Sequence, residues 1–211
     1  NVSKFDNLSN KIRKKFPKKS KGKVNKIENK ITEKGDCGKI IELPENGISP
    51  PGDYSEGDNN YYTRRTIQAH KDDSIFVFGA NKNHIYNRTG HRGDRGQAKS
   101  TFGCKNVVPI VTMGPTNDPL VNNYHSNLRE IVIQFYKDGG NIVFPMNNDG
   151  SNVNIGTGIG KSQPMALVGQ KFALNLLNEL KKIKSDDCKP KDNLMDIFNT
   201  SMDNLSSSLS S

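Results

Sequence analysis

Two glycine-rich stretches of the sequence contain residue types that could bind phosphate. The later one, NIGTGIGKSQP at residues 154–164, places three glycines ahead of a Lys-Ser pair. A nucleoside-triphosphatase loop needs a glycine, four residues and then Gly-Lys-Ser/Thr, so that backbone N–H groups surround one phosphate while the lysine reaches the next. Here the first glycine position is Ile155, and Pro164 indicates that the following helix begins after the Gly-Lys pair. The match fails by one position, which leaves other phosphate ligands to consider.

The earlier stretch, GANKNHIYNRTGHRGDRGQAKS at residues 79–100, also combines glycines with cations. Glycines at this density let the backbone approach a ligand closely, and cationic side chains suit phosphate. Two such loops at one edge of a sheet could hold a diphosphate or a nucleotide ribose, although each loop by itself is explained as well by a tight turn that needs positive φ. The candidate glycines are Gly93, Gly96, Gly156, Gly158 and Gly160, and the cations of the earlier loop are Arg88, Arg92, Arg95 and Lys99.

Few polar side chains are placed to meet a substrate. Asn81 and Asp149 each follow an apolar run that reads as a strand, and His91 and Asp94 lie in the earlier loop. No Ser-His-Asp order, His-Glu-x-x-His motif or paired-carboxylate spacing accompanies them. The sequence therefore predicts ligand-binding residues at Asn81 and Asp149 but indicates no catalytic residue and no cofactor.

The three cysteines form no recognisable pattern. Cys37, Cys104 and Cys188 are far apart, odd in number and free of CxxC spacing, so the sequence indicates neither a disulfide framework nor a zinc site. This pattern favours a reducing compartment, with Cys104 as a packed thiol and not a nucleophile.

Three apolar runs predict the strands that must position the loops. They are SIFVFGAN (74–81), NVVPIV (106–111) and NIVFP (141–145), and all have the character of strands buried on both faces. Helical patterns follow the second run in NNYHSNLREIVIQFYK and the third from Pro164, and a short helix is expected in TRRTIQA. This alternation predicts an α/β domain whose mostly parallel sheet is covered by helices, in a macro-like or Rossmann-like three-layer arrangement. Ligands of such sheets bind beyond the carboxyl ends of the strands.

The excess positive charge is confined to the first part of the chain. The net charge is +9, and residues 1–34 carry twelve basic and three acidic side chains, which leaves the rest of the chain neutral. We expect a basic N-terminal arm (1–37), an α/β domain (38–185) and a polar, Ser-rich C-terminal tail (186–211), the tails being disordered or extended. The arm suits a polyanion, and equally a solvated segment. Its expected contact residues are Lys11, Arg13, Lys14, Lys15, Lys18 and Lys19.

A membrane partner is not expected. No apolar run approaches the roughly 20 residues that span a bilayer. The charged N-terminus also lacks the apolar segment of a secretory signal. A soluble protein is predicted.

Several short motifs, in this order, resemble those of an uncharacterised domain family of bacteria and their phages. They are TRRTIQAHKDDSIFVFGAN, GDRGQAKSTFGCKNVVPIVT, NIVFP and IGTGIG, within about residues 62–160. The family pattern is an early arginine, a strand ending in Phe-Gly-Asp-Asn, a Gly-Gly-Gln-Ala segment, a strand running into Pro-Thr-Lys and a closing Gly-Thr-Gly loop. The resemblance implies that Gln97, Thr112 and Thr157 join the ligand-binding residues. The layout is also similar to a macro domain, which implies ADP-ribose as ligand, with Asn81 at the distal ribose and the glycine loops around the phosphates.

Two positions depart from the family pattern. Ala80 stands where the family has an acidic residue, and Met113 where it has a lysine. Loss of a carboxylate and an ammonium group removes a general acid/base and a phosphate partner, so weak or no catalysis is expected.

The leading expectation is a phage-type α/β domain that binds a nucleotide-derived ligand such as ADP-ribose or an NAD derivative. The alternative is a structural or packaged phage virion protein that uses the fold as a scaffold, with the arm contacting DNA or other virion proteins. The two expectations place the chain in the cytoplasm of the infected bacterial cell or in the virion.

Overall fold

A parallel β-sheet forms the centre of the molecule in the computed structural model, which describes residues 36–44, 62–147, 152–155 and 164–209. Its four strands are β1 (Ile40–Pro44), β2 (Ser74–Asn81), β3 (Val107–Met113) and β4 (Asn141–Met146), in the spatial order β1-β4-β2-β3. Every neighbouring pair is parallel. β2, β3 and β4 confirm the three predicted strands.

β1 lies outside the three apolar runs that predicted strands. It has only five residues, and its side chains alternate between buried and half-buried positions, with Ile41 and Leu43 facing the core. A short edge strand of this kind lacks the continuous apolar run that marks a strand buried on both faces. The sequence therefore did not predict the strand at Ile40–Pro44.

Six α-helices cover the sheet in the part of the chain that the structure describes. They are α1 (Arg64–Ala69), α2 (His84–Asn87), α3 (Gly96–Thr101), α4 (Pro119–Lys137), α5 (Pro164–Leu180) and α6 (Leu194–Ser208), with a 3-10 turn at Ser185–Asp187. α1 begins where the Thr63 hydroxyl accepts a hydrogen bond from the backbone N–H of Thr66. α4 begins where the Asp118 carboxylate accepts one from Leu120, with proline at the first helical position.

Alternating side chains of the strands divide between two apolar clusters. Ile75 and Val77 pack with residues of α4, α5 and α6 on one face of the sheet. Phe76 and Phe78 pack with residues of α1 and α3 on the other face. Helices cover both faces, which confirms the predicted α/β class with a parallel sheet between helical layers.

The C-terminal segment differs from the polar tail expected for residues 186–211. α6 buries Phe198, Met202 and Leu205 against the cluster that contains α4, and the Ser206 hydroxyl donates a hydrogen bond to the Ile85 carbonyl at 3.0 Å. The spacing of these three apolar residues gives one helical stripe, which is narrow because short polar residues separate its members. Residues as far as Leu209 therefore pack with the α/β domain.

A disulfide joins Cys37 to Cys188, with 5.1 Å between their Cα atoms. The expectation that no disulfide would form was wrong, because the two cysteines are 151 residues apart in sequence and only the fold brings them together. Both cysteine segments lie at the end of α4, where Gly38 N donates to Tyr136 O at 2.9 Å and Lys189 N donates to Lys137 O at 2.8 Å. Disulfides persist in oxidising surroundings, so this bond argues against the reducing compartment inferred from the sequence.

None of the helices among the described residues combines the length and the apolar character that crossing a membrane requires.

Candidate functional site

The sheet has a break at its carboxyl edge, between β2 and β4. The two strands pair only as far as Phe76 and Val143, although both continue further. Asn141 N donates to Asp73 O at 2.9 Å, and because backbone groups alternate along a strand, those of Pro145 also face β2. Proline has no N–H to donate, so the ladder ends there. The break coincides with the topological switch point, since β3 and β4 lie on opposite sides of β2.

Side chains replace the missing strand partners on the side of β2 that faces the break. A continued ladder would have bonded the carbonyl of Val77 and the N–H groups of Gly79 and Asn81 to β4. Instead, Tyr62 Oη donates to Val77 O at 2.7 Å, Gly79 N donates to Gln97 Oε1 at 2.9 Å, and Asn81 N donates to His84 Nδ1 at 3.2 Å. The break is therefore filled by specific polar contacts from α1, α2 and α3 and their flanking residues.

Gln97 connects the two glycine-rich stretches. Its Nε2 donates to Asn154 O at 2.5 Å, while Asn154 N donates to Pro145 O at 2.8 Å. A continuous chain of hydrogen bonds thus runs from β4 through Asn154 and Gln97 to Gly79 on β2. Both ends of the Gln97 amide are engaged and its side chain is buried, so its observed role is to hold the loops together. Asn154 is the first residue of the later glycine-rich stretch, so the described start of that stretch lies at this edge.

Asn81 lies beside the break, as expected from its place at the end of β2. We call the residues at and just after the carboxyl ends of β2 and β3 the rim. Its Oδ1 accepts from Asn83 N at 3.1 Å, and its Nδ2 lies 3.6 Å from Met113 Sδ. The Met113 side chain is 40% exposed and so forms part of the rim. Thr112 is buried, and its hydroxyl donates to Ala80 O at 3.3 Å, which ties the ends of β2 and β3 together.

The two predicted glycines of the earlier loop differ in what they require. Gly96 has φ of 61° at the start of α3, a conformation that favours glycine. Gly93 lies in an exposed turn, where an added Cβ would meet no atom within 4 Å. The other predicted site residues are outside the described residues; they are Asp149, Gly156, Thr157, Gly158 and Gly160, and in the arm Lys11, Arg13, Lys14, Lys15, Lys18 and Lys19.

Arg88 was expected to add positive charge for phosphate, but its side chain is buried against α6. Its guanidinium donates to Asp203 Oδ1 at 2.7 Å, to Asn199 Oδ1 at 2.9 Å and to Lys105 O at 2.8 Å. Its backbone has φ of 62°, which turns the chain out of α2. The charge of Arg88 thus joins the earlier loop to the C-terminal helix and is not presented at the rim.

A cluster of His84, His91 and Asp94 lies beside the rim. His84 Nε2 lies 3.0 Å from Asp94 Oδ2, which also accepts from the backbone N–H of His91 at 2.5 Å. The two imidazole rings are 4.9 Å apart, edge to face. Burial, more than any other cause, lowers the pKa of His84, so its ring is neutral at pH 7.

The hydrogen bonds of this cluster argue against a metal centre. One potential ligand atom from each residue lies within 4.8 Å of the others. A histidine that binds a metal usually donates a proton from its other ring nitrogen to a neighbour. His84 does the reverse, because its Nδ1 accepts from Asn81 N, which places the ring proton on Nε2, where it is donated to Asp94. The cluster therefore acts as a support for Asn81.

Lys82 supplies the cation next to Asn81. Its Nζ lies 2.5 Å from Asp118 Oδ2. This hydrogen bond raises the pKa of Lys82 and lowers the pKa of Asp118. The pair fixes the residue after β2 to the start of α4 and holds the ammonium group next to Asn81, with its charge balanced by the Asp118 carboxylate.

Sequence reasoning missed Tyr62, His84 and the Lys82–Asp118 pair. A usable signal existed only for Pro145, because a proline inside an apolar strand run indicates that one side of the strand is unpaired. Comparisons of the chain with protein-family models, with curated proteins and with solved structures find no match. Function therefore has to be inferred from the residues at the carboxyl edge.

Proposed function

We propose that the chain binds a nucleotide-derived ligand, such as ADP-ribose or an NAD derivative, at the carboxyl edge of the sheet. The supporting observation is the hydrogen bond from Gln97, in the earlier glycine-rich stretch, to Asn154, the first residue of the later one, beside a break at the topological switch point. Ligands of open α/β sheets bind at such points, and glycine-rich backbone suits the close approach of phosphates. The similarity of the sequence layout to a macro domain implies the same ligand class.

In this proposal Asn81 offers its side-chain amide to ribose hydroxyls, and the Lys82 ammonium group, which is already paired with Asp118, offers a further hydrogen bond to a phosphate. Ala80 is buried and carries no carboxylate, and Met113 places a thioether where an ammonium group would assist phosphate. His84 has both ring nitrogens engaged, by Asn81 N and by Asp94, which removes it as a general base. Binding with weak or no catalysis is the expected outcome.

Thermal melting of the full chain with ADP-ribose, NAD, ADP, ATP and inorganic phosphate tests this site. We expect one adenosine diphosphate compound to raise the melting temperature with increasing concentration, because a ligand that binds only the folded state stabilises it by mass action. Asn81→Ala should remove most of that rise. Asn175→Ala, at an exposed position on α5, is the matched control and should preserve it. A rise that survives Asn81→Ala, or no rise with any compound, would contradict the proposal.

The Cys37–Cys188 disulfide favours a second candidate, a structural or packaged phage virion protein. Disulfides persist on particles outside the cell and are reduced in the bacterial cytosol. The basic arm would contact DNA or other virion proteins in that setting. Peptide mass spectrometry of purified particles without reductant should recover the Cys37 and Cys188 peptides as a linked pair. Particles that lack this chain would exclude the candidate.

A further inference from the structure

The Cys37–Cys188 disulfide joins two segments that meet at the carboxyl end of α4. The first segment leads into β1, and the second leads from the 3-10 turn into α6. A disulfide is either a permanent cross-link or a site that exchanges with external thiols, and the surroundings of its sulfurs decide between the two. The contacts of this junction that do not involve sulfur are those that would persist in the reduced protein.

The Cys188 segment is held to α4 by hydrogen bonds of its own. Lys189 N donates to Lys137 O at 2.8 Å. Lys191 N donates to Asp138 O at 3.0 Å, and the Lys191 ammonium group lies 2.9 Å from the buried Asp138 carboxylate. These three contacts fix the chain immediately after Cys188, and none of them uses the cysteine sulfur.

The Cys37 segment is held in a similar way by the residues that follow it. Gly38 N donates to Tyr136 O at 2.9 Å. Lys39 N donates to Asn141 Oδ1 at 2.9 Å, and the pairing of β1 with β4 begins at the next residue. The chain after Cys37 therefore keeps its place in the sheet through contacts that the disulfide does not supply.

These contacts predict that the two thiols of the reduced protein stay side by side. The Cα atoms of Cys37 and Cys188 are 5.1 Å apart, and the residue after each cysteine is anchored to α4. The Lys184 carbonyl oxygen lies 3.7 Å from Cys37 Sγ and 3.6 Å from Cys188 Sγ, so it can accept a hydrogen bond from either thiol of the reduced pair. Closure of the disulfide is then an intramolecular step between groups that the fold has already placed.

The two sulfurs differ in how easily an external reagent can reach them. Cys188 is buried, with 5% of its surface exposed, whereas Cys37 is half-buried. Thiol–disulfide exchange needs a direct approach of the attacking thiolate to one sulfur, so the more accessible sulfur is the one that exchanges. The third cysteine, Cys104, is buried in the apolar cluster of α1 and α3, and burial raises the pKa of its thiol. Cys104 therefore serves as an unreactive reference within the same chain.

We propose that Cys37 and Cys188 form a thiol–disulfide exchange site that opens and closes within the folded domain, with Cys37 as the exchanging sulfur and Cys188 as the resolving thiol. Such a site lets the chain fold with free thiols in reducing surroundings and close after transfer to oxidising ones, without refolding. The inference does not depend on the proposed nucleotide ligand.

The co-reactants are a small thiol for opening and its disulfide for closing. On opening, the thiolate of the small thiol attacks Cys37 Sγ, and Cys188 leaves as a thiolate. A second small thiolate then attacks the small-molecule sulfur bound to Cys37, which releases the small disulfide and the Cys37 thiolate. On closing, the Cys37 thiolate attacks the small disulfide and expels one small thiolate, and the Cys188 thiolate attacks Cys37 Sγ and expels the other.

Reaction of the reduced, folded full chain with oxidised glutathione tests the proposal. The reductant is removed by gel filtration, oxidised glutathione is added, and samples are quenched with N-ethylmaleimide for peptide mass spectrometry. In the wild type we expect early samples to carry glutathione at Cys37 and not at Cys188, and later samples to contain the linked pair, with Cys104 unmodified throughout. This comparison needs no substitution.

Two variants separate the roles of the sulfurs. Cys188→Ser removes the resolving thiol and should hold glutathione at Cys37 as a stable mixed disulfide. Cys37→Ser should take up glutathione at Cys188 more slowly by at least about tenfold, because a buried sulfur reacts only after local opening of the structure. The matched control is the wild type in concentrated urea, where glutathione should be found on Cys104 as well.

Glutathione that accumulates on the native wild type without closure to the linked pair would overturn the proposal, because the thiols would then not be held together. Equal uptake at Cys37 and Cys188 in early samples of the wild type would contradict the roles of the two sulfurs. Circular dichroism of the reduced wild type, recorded below its melting temperature, should match that of the oxidised protein. A loss of the native spectrum, or uptake at Cys104 without urea, would show that exchange requires unfolding.

Discussion

His125 should make the folded state sensitive to mild acid. It lies on α4 against the outer edge of β3, which has no further strand beside it among the described residues. Val111 N donates to His125 Nε2 at 3.1 Å, and the imidazole stacks on Phe172 with 4.5 Å between ring centroids. Burial lowers the pKa of His125 from 6.5 to about 4. Protonation would both charge a buried ring and remove the acceptor that Val111 N–H uses.

The sign and size of the effect follow from the two pKa values. The unfolded chain binds this proton more readily than the folded chain, so the stabilisation is complete above pH 6.5 and is lost as the pH falls toward 4. One pKa unit corresponds to about 1.4 kcal/mol, so His125 accounts for about 3 kcal/mol in full and about 2 kcal/mol between pH 7.5 and pH 5. Most carboxylates are still ionised at pH 5, which isolates the histidines.

Urea denaturation at pH 7.5 and at pH 5 would measure this loss in the free energy of unfolding. His125→Gln supplies a side-chain oxygen that can accept from Val111 N–H but cannot be protonated in this range. We expect the variant to lose about 2 kcal/mol less than wild type between the two pH values. The buried His84, whose pKa is also lowered chiefly by burial, should leave a smaller residual dependence in both proteins.

Equal losses in wild type and His125→Gln would refute the reasoning, because the folded ring would then titrate as freely as the unfolded one. An NMR titration of the ring protons offers an independent check. A midpoint close to 6.5 for His125 would also contradict its assignment as a buried acceptor.

Three further substitutions test the contacts that hold the fold. Tyr62→Phe should lower the free energy of unfolding by about 1–3 kcal/mol in urea titrations, because it leaves the buried Val77 carbonyl without its hydrogen bond; no loss would show that water or another group replaces the hydroxyl. Gly169→Ala should cost about 1–3 kcal/mol in the same assay, since its Cβ would lie 2.6 Å from Val111 O and would force α5 away from β3; a neutral result would show that α5 shifts freely. Cys37→Ser should lower the melting temperature by the equivalent of about 2–5 kcal/mol, because the disulfide closes a long loop, and reductant should affect only the wild type.

The sheet was predictable because three of its strands are buried on both faces. β2, β3 and β4 appear as continuous apolar runs, and a run of that kind has few interpretations once helical patterns alternate with it. β1 was not predicted, and the α6 segment was assigned to the polar tail, for a shared reason. Each buries only one side, so β1 shows two buried apolar residues and α6 shows a narrow stripe among serines and asparagines.

The candidate site was predictable only in its location. Asn81 ends an apolar run, and that position alone places it at the carboxyl edge of a parallel sheet. The role of Gln97 depends on a contact with Asn154, 57 residues away, which no local pattern encodes. Arg88 shows the same limit, because a cation in a glycine-rich loop reads as a phosphate ligand until the helix that buries it is known.

The break between β2 and β4 is a built feature of the fold and not a failure of pairing. A strand residue with an N–H in place of Pro145 could have bonded Val77 O and continued the ladder. The protein instead uses a tyrosine, a glutamine and a histidine from three separate segments to satisfy β2, and inserts Asn154 to satisfy Pro145. Buried polar groups without partners lower the stability of the folded state. These side chains therefore let the two strands separate without leaving backbone groups unsatisfied. A closed ladder would be simpler, so the separated strands, between which Gln97 bonds Asn154, are the feature that a bound ligand would explain.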